Sequence, residues 1–189
     1  MMIGELFDPN AEFSIRETCK PHWSQAGAVV FITFRTADSI PKEVIHRWHR
    51  EKCDWLVRRG YMRPEQDDWK QVVEEIPSEE AHQFRRQFLK ARESCLDDCH
   101  GRCVLRDPQC SGAVADSLLK FDGDRYSMGD FVVMPNHVHF LAAFATEQTM
   151  GRQCTSWMHY TAHIINGFLD QSCRFWQPDP FDHLVRSPE

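Results

Sequence analysis

No apolar run in this chain approaches the ~20 residues that a membrane-spanning helix requires. The opening stretch Met1-Met2-Ile3-Gly4-Glu5-Leu6-Phe7-Asp8-Pro9 lacks the basic segment and following apolar segment of a secretory signal. A membrane partner is therefore not expected, and the 8 cysteines read as reduced thiols of a cytoplasmic protein. Positive charge is short as well. The 22 Lys and Arg face 28 Asp and Glu, for a net charge of −6. That balance argues mildly against a nucleic-acid partner, although local distribution outweighs the sum. Basic residues gather in 42–70 and 85–106, but acids are interleaved in both, as on a solvated helix face. Tyrosine is rare, and any chemistry that needs a phenol nucleophile has only Tyr61, Tyr126 and Tyr160 to draw on.

What the chain does have is one strongly apolar run, Phe131 to Phe144, broken by Pro135-Asn136 and carrying His137 and His139. Residues i and i+2 of a strand share a face. His137 and His139 therefore project side by side, with Leu141 and Ala143 beyond them, while Val138, Phe140, Ala142 and Phe144 turn to the core. Pro135-Asn136 suits a tight turn, since proline fixes φ and asparagine tolerates turn geometry. Two adjacent neutral imidazoles are a natural ligand pair for a divalent metal; the plain alternative is a pair of polar residues on a solvated face. A nucleotide-cleaving hydrolase is a remote alternative, because a histidine triad needs a third alternating histidine where Leu141 stands.

Taken in order, residues 1–20 are polar and unpatterned, as in an arm. Gly27 to Arg35 is a strand by its β-branched and aromatic density. Ser39 and Pro41 open a helix with Val44, Ile45, Trp48, Trp55 and Leu56 as its apolar stripe, stopped by Gly60. Residues 61–77, with Pro64, Pro77 and many carboxylates, read as a solvated connection, and Ser78 opens a second helix that buries Ala81, Phe84, Phe88 and Ala91. The stretch Cys95 to Cys110 holds four cysteines and His100; a structural zinc and inward-facing helical thiols are both open readings, thiols being the default. Asp107-Pro108 leads into a helix with Ala113, Val114, Leu118 and Phe121 on one side. After strands 125–133 and 137–144, a long helix from Thr149 to about Gln171 presents Met150, Cys154, Trp157, Met158, Thr161, Ile164, Ile165 and Phe168 on one arc. His159 and His163 fall on its solvent side and Tyr160 at the border. The tail from Phe175 to Arg186 is aromatic and proline-broken, and must pack on something. The sum is an α+β fold, a two-layer sandwich of a mostly antiparallel sheet with helices on one face. It reads as one domain over 21–189 behind an arm, with 60–110 as an α-helical insertion. The open sheet face carries the histidines.

Four stretches resemble the REP-associated tyrosine transposases, of the single-tyrosine HUH group. They are Pro21 to Pro41, Gly123 to Tyr126, Val132 to Leu141 with its Met134-Pro135-Asn136-His137-Val138-His139 run, and Phe175 to Arg186. The resemblance implies a ferredoxin-like sandwich, a Mg²⁺ or Mn²⁺ site in which His137 and His139 match the histidine–hydrophobe–histidine motif, and single-stranded or hairpin DNA as partner. Its chemistry is DNA nicking and strand transfer through a 5′-phosphotyrosine, with a homodimer or a monomer as the acting species. Sequence order nominates Tyr160 as nucleophile, since it lies on the helix after the histidines. The family pattern puts the nucleophile, and a further metal-coordinating side chain, on a helix after Asp182 to Arg186, where this sequence stops at Glu189. Ser156-Trp157-Met158-His159 also stands where family members tend to carry a lysine. On that pattern the nucleophile is expected to be absent and strand transfer impaired by truncation. The second expectation is a non-catalytic nucleic-acid-binding module with the same fold.

Overall fold

The computed structural model describes residues 4–17 and 21–187. Its strands are β1 (Ser14–Glu17), β2 (Pro21–Ser24), β3 (Val29–Arg35), β4 (Ser127–Val133), β5 (His137–Ala143) and β6 (Phe181–Leu184). Its helices are α1 (Lys42–Arg58), α2 (Trp69–Glu75), α3 (Ser78–Asp97), α4 (Pro108–Leu119) and α5 (Glu147–Phe168). The chain divides into two compact units, residues 1–39 with 102–189 and residues 40–101.

In the first unit, four strands form an antiparallel sheet in the order β4-β5-β3-β6. With α4 and α5 this gives the succession β-α-β-β-α-β in ferredoxin-like order, the second unit being spliced between β3 and α4. Both helices bury one face of the sheet. Val114 and Leu118 of α4 and Met150, Cys154, Trp157 and Ile165 of α5 pack with Ile32, Phe34, Val138 and Phe140. The spacing of 3 and 4 along α5 makes the stripe, and Thr146 caps the helix by accepting from the Thr149 N–H at 3.1 Å. Trp157 is the centre of this layer: its ring meets Tyr126 at 4.7 Å and Phe140 at 5.4 Å, and its Nε1–H donates to the Ser117 carbonyl at 3.0 Å. Phe168, expected on the buried arc, is 45% exposed and lines an open groove with Tyr160 and Ile164 beside α4.

The aromatic tail does pack, and it supplies the fourth strand. β6 pairs with β3 in the register Phe31↔His183 and Thr33↔Phe181. The Trp176 indole donates to Thr161 Oγ1 at 2.8 Å, and the Gln177 N–H donates to the Arg35 carbonyl at 2.8 Å. The expected arm is also tied down in part. β1 pairs with β2, Glu5 bridges Ala28, and the Phe7 N–H donates to the Val185 carbonyl at 2.9 Å. Backbone pairing does not need an alternating apolar pattern, which is why polar residues hid these contacts.

The second unit runs 40–101, against the 60–110 read from sequence. The α1 stripe explains the earlier start, since Trp55 and Leu56 pack with Met62, Val73, Ile76, Ala81 and Phe84 of the same unit. Pro41, not Ser39, is the N-cap of α1; Ser39 is buried in the preceding turn, donating to the Thr36 carbonyl at 2.8 Å. Gly60, at φ +75°, ends α1 as expected. Its N–H reaches the Val57 carbonyl at 3.0 Å and that of Tyr61 the Leu56 carbonyl at 3.0 Å, the paired bonds of a Schellman motif. The connection 61–77 is not structureless: Asp68 caps α2 by accepting from the Lys70 N–H at 3.2 Å, and Val73 is buried. Carboxylates on its outer side had masked this short stripe.

Candidate functional site

The face of the sheet opposite α4 and α5 is built by alternation. His137, His139 and Leu141 of β5 lie on it, across from Arg35, Thr33 and Phe31 of β3. Phe181 and His183 of β6 follow on the far side of β3, and Val132 of β4 borders it. The rings make a continuous row. His137 and His139 have centroids 4.6 Å apart, His139 stacks on Phe31 at 5.2 Å, Phe31 meets His183 at 5.2 Å, and His183 meets Phe181 at 5.7 Å. His183 and Val132 are exposed, and His139, Phe31 and Phe181 are half-buried.

His137 is fully buried, at 0%. The turn before it accounts for this. The Leu105 N–H donates to the Pro135 carbonyl at 3.1 Å, the Thr36 N–H to the Asn136 carbonyl at 2.9 Å, and the Met134 N–H to the His137 carbonyl at 2.8 Å. Chain thus closes in on both sides of the strand end, and the first ring is recessed while the second reaches the surface. Arg35, in register with His137, is half-buried and its Nη1 donates to Ser39 Oγ at 3.2 Å.

Each imidazole of the pair is held through Nδ1. His137 Nδ1 lies 2.8 Å from Asn136 Oδ1, and His139 Nδ1 lies 2.9 Å from Thr33 Oγ1. Where Nδ1 is the donor, the lone pair sits on Nε2, and a partner on the other ring nitrogen is what orients a metal-ligating histidine. The donor set therefore fits a divalent ion at the two Nε2 atoms. Imidazole nitrogen suits Mn²⁺ better than Mg²⁺, which prefers oxygen throughout. Among the described residues, no third His, Cys, Asp or Glu groups with this pair as a ligand, so water and substrate oxygens would complete the shell.

No family model matches the chain, nor does any curated protein. One solved structure does: a REP-associated tyrosine transposase bound to a REP hairpin, at 10% sequence identity and a TM-score of 0.36. The match covers 86% of this chain and 59% of that one, so this chain spans less than two thirds of its length.

Tyr126 and Tyr160 are not at the histidine pair. Tyr126 is buried in the helix layer, where its hydroxyl donates to the Leu118 carbonyl at 2.7 Å. Burial raises its pKa, so the phenol stays protonated. Tyr160 is 48% exposed on α5, 5.7 Å from the ammonium of Lys120 at the C-cap of α4, on the helix side of the sheet. The histidines face the other way. Tyr61 belongs to the second unit, where it is half-buried against that unit's core.

A cleft of ≈ 270 Å³ opens elsewhere, between α5 and the segment before β6, walled by His22, Asp179, Asp182, Met158 and His159. His22 is buried between two carboxylates: Nε2 lies 2.7 Å from Asp179 Oδ1, and Nδ1 pairs with Asp182. The Asp182 hydrogen bond, then the two carboxylate charges, raise the His22 pKa against the opposing effect of burial. His22 and His159 each begin a His-x-Ser/Thr triplet, the grammar of two-histidine phosphoesterases. The hydroxyls are used in the fold, however. Ser24 Oγ pairs with Ser14 Oγ at 2.8 Å, and Thr161 Oγ1 donates to the Trp157 carbonyl at 2.6 Å. The cleft thus has ion-paired walls, and both triplet hydroxyls are engaged within the fold.

The sequence puts His137 and His139 on one face of a strand, but not Phe31, Arg35 and His183 beside them. Residues 27–35 read as a strand from β-branched and aromatic density alone, and only the β3–β6 register brings His183 next to Phe31.

Proposed function

We propose that this chain is a transposase-like nucleic-acid-binding protein that takes single-stranded or hairpin DNA on the face carrying His137 and His139, with a divalent ion at the two imidazoles. The observation that carries the reading is the ring row His137–His139–Phe31–His183–Phe181 on an antiparallel sheet whose other face is covered by helices. Single strands are bound by stacking bases on such platforms while cations follow the backbone. Arg35 supplies a cation beside the pair, and the Met134 to His139 run supports the transposase-like reading through its resemblance.

An ion held there would stabilise charge on the non-bridging oxygens of a phosphate. The chain's own part is to fix the two rings through Asn136 and Thr33, and to offer the base a stacking surface at Phe31 and His139. Strand transfer would further need a phenol in line with the phosphorus. Tyr126 and Tyr160 lie in the helix layer, which favours binding without self-contained cleavage as the reading for this chain. The test is fluorescence anisotropy with a labelled DNA hairpin carrying a single-stranded flank, in Mn²⁺ and in chelator, followed by denaturing electrophoresis. Mn²⁺-dependent binding with no covalent adduct is expected. An adduct lost in Tyr160→Phe would establish the catalytic reading, and equal binding to blunt duplex with no metal effect would remove both.

A further inference from the structure

The second unit carries a group of side chains that the proposed DNA face does not use. His49 and Cys53 stand four residues apart on α1, one turn above each other on the same face. Asp67 comes to them from the loop before α2. His49 Nε2 pairs with Asp67 Oδ1, Cys53 Sγ lies 4.0 Å from His49 Nε2, and all three ligand atoms fall within 4.8 Å of one another.

We propose that His49, Cys53 and Asp67 form a zinc site on the helical insertion, with water in the fourth position. One nitrogen, one sulfur and one carboxylate oxygen make a borderline-soft set that suits Zn²⁺ and not Mg²⁺ or Ca²⁺. Zinc bonds of 2.0–2.3 Å put tetrahedral ligand atoms about 3.3–3.8 Å apart, so the Cys53–His49 separation closes with a small rotamer adjustment. Asp67 is not a chance visitor. The loop holding it is fixed on both sides: Arg63 N–H donates to Gln66 Oε1 at 2.8 Å, and Asp68 caps α2. Trp69 packs on Phe84 at 5.7 Å, with the Lys52 ammonium 4.1 Å from its ring. The Asp67 carboxylate is 86% exposed and the His49 side chain 40%, so an ion can enter from solvent and keep a water.

Binding replaces one proton, that of the Cys53 thiol, released to solvent with no redox change; the neutral His49 ring ligates through Nε2 and keeps its one proton on Nδ1. The bound ion would pin the loop before α2 to α1.

Cobalt titration of the full chain, reduced and stripped with chelator, tests this. Wild type should develop a thiolate-to-cobalt charge-transfer band with the intense visible bands of a tetrahedral ion, and Zn²⁺ should bleach them. Cys53→Ser should abolish the charge-transfer band. Asp67→Asn and His49→Gln should weaken binding by at least about 10-fold, the lower bound for losing even an outer partner of a ligand. Cys173→Ser, at an exposed thiol elsewhere, should change nothing. Far-ultraviolet circular dichroism checks each variant; if Cys53→Ser misfolds, the exposed His49→Gln change carries the test. No band in wild type, or an unchanged band and affinity in Cys53→Ser or His49→Gln, would overturn the proposal.

Discussion

At the scale of single residues, His22 shows how a buried ion pair sets pH dependence. Its pKa is raised above the ordinary 6.5, the hydrogen bond to Asp182 being the largest cause. A histidine held protonated by the fold contributes fully below its unfolded pKa, and that contribution is lost as pH rises through the higher folded value. Urea midpoints of wild type should therefore exceed those of His22→Gln most below pH 6.5, and the gap should narrow as pH rises above it. His22→Ala, which strands two carboxylates at the edge of the core, should cost about 3–5 kcal/mol, read from the same curves. Phe31 is a different kind of residue. It is half-buried on the open sheet face, in the ring row between His139 and His183, so Phe31→Ala should weaken single-stranded DNA binding by roughly 5- to 150-fold, the range for one base–aromatic stack, as measured by anisotropy.

At the scale of elements, helix ends and strand registers carry the argument. Gly60→Ala should destabilise the second unit by about 1–2 kcal/mol, because an L side chain is strained at φ +75°. Gly112, inside α4 with open space around it, should respond oppositely, with Gly112→Ala stabilising by up to about 1 kcal/mol. Thermal unfolding of the two variants checks both signs. These elements also mark how far the sequence could be read. The long α5 stripe, the Gly60 stop and the alternation around His137 and His139 were legible because each rests on a local rule. The strand nature of 181–184 was not, because four residues between prolines and a polar tail carry too short a period. The pairings of Glu5 with Ala28 and of Phe7 with Val185 are made by backbone atoms, which leave no mark on side-chain pattern. The burial of His137 was hidden for a related reason, since it depends on how the 104–106 and 134–136 segments meet. The ring row itself joins residues more than a hundred positions apart, and only strand pairing brings them together.

At the scale of the molecule, the first unit is an α+β sandwich with one face buried by helices and the other bearing histidines, aromatics and Arg35. No helix among the described residues is long and apolar enough to cross a membrane. On the histidine face the cation in register with the pair is Arg35, so DNA binding there should draw on few phosphate contacts and its affinity should fall only shallowly with salt. The logarithmic slope against salt concentration, from anisotropy titrations of the hairpin, checks that expectation. The proposed DNA face depends on two imidazoles holding one ion. Electron spin echo spectroscopy of the Mn²⁺-loaded full chain reads this directly. Imidazole nitrogen couplings should be present in wild type and in His49→Gln, and absent from His137→Ala/His139→Ala. A wild-type spectrum indistinguishable from aqueous Mn²⁺, or couplings that survive in the double variant, would contradict it.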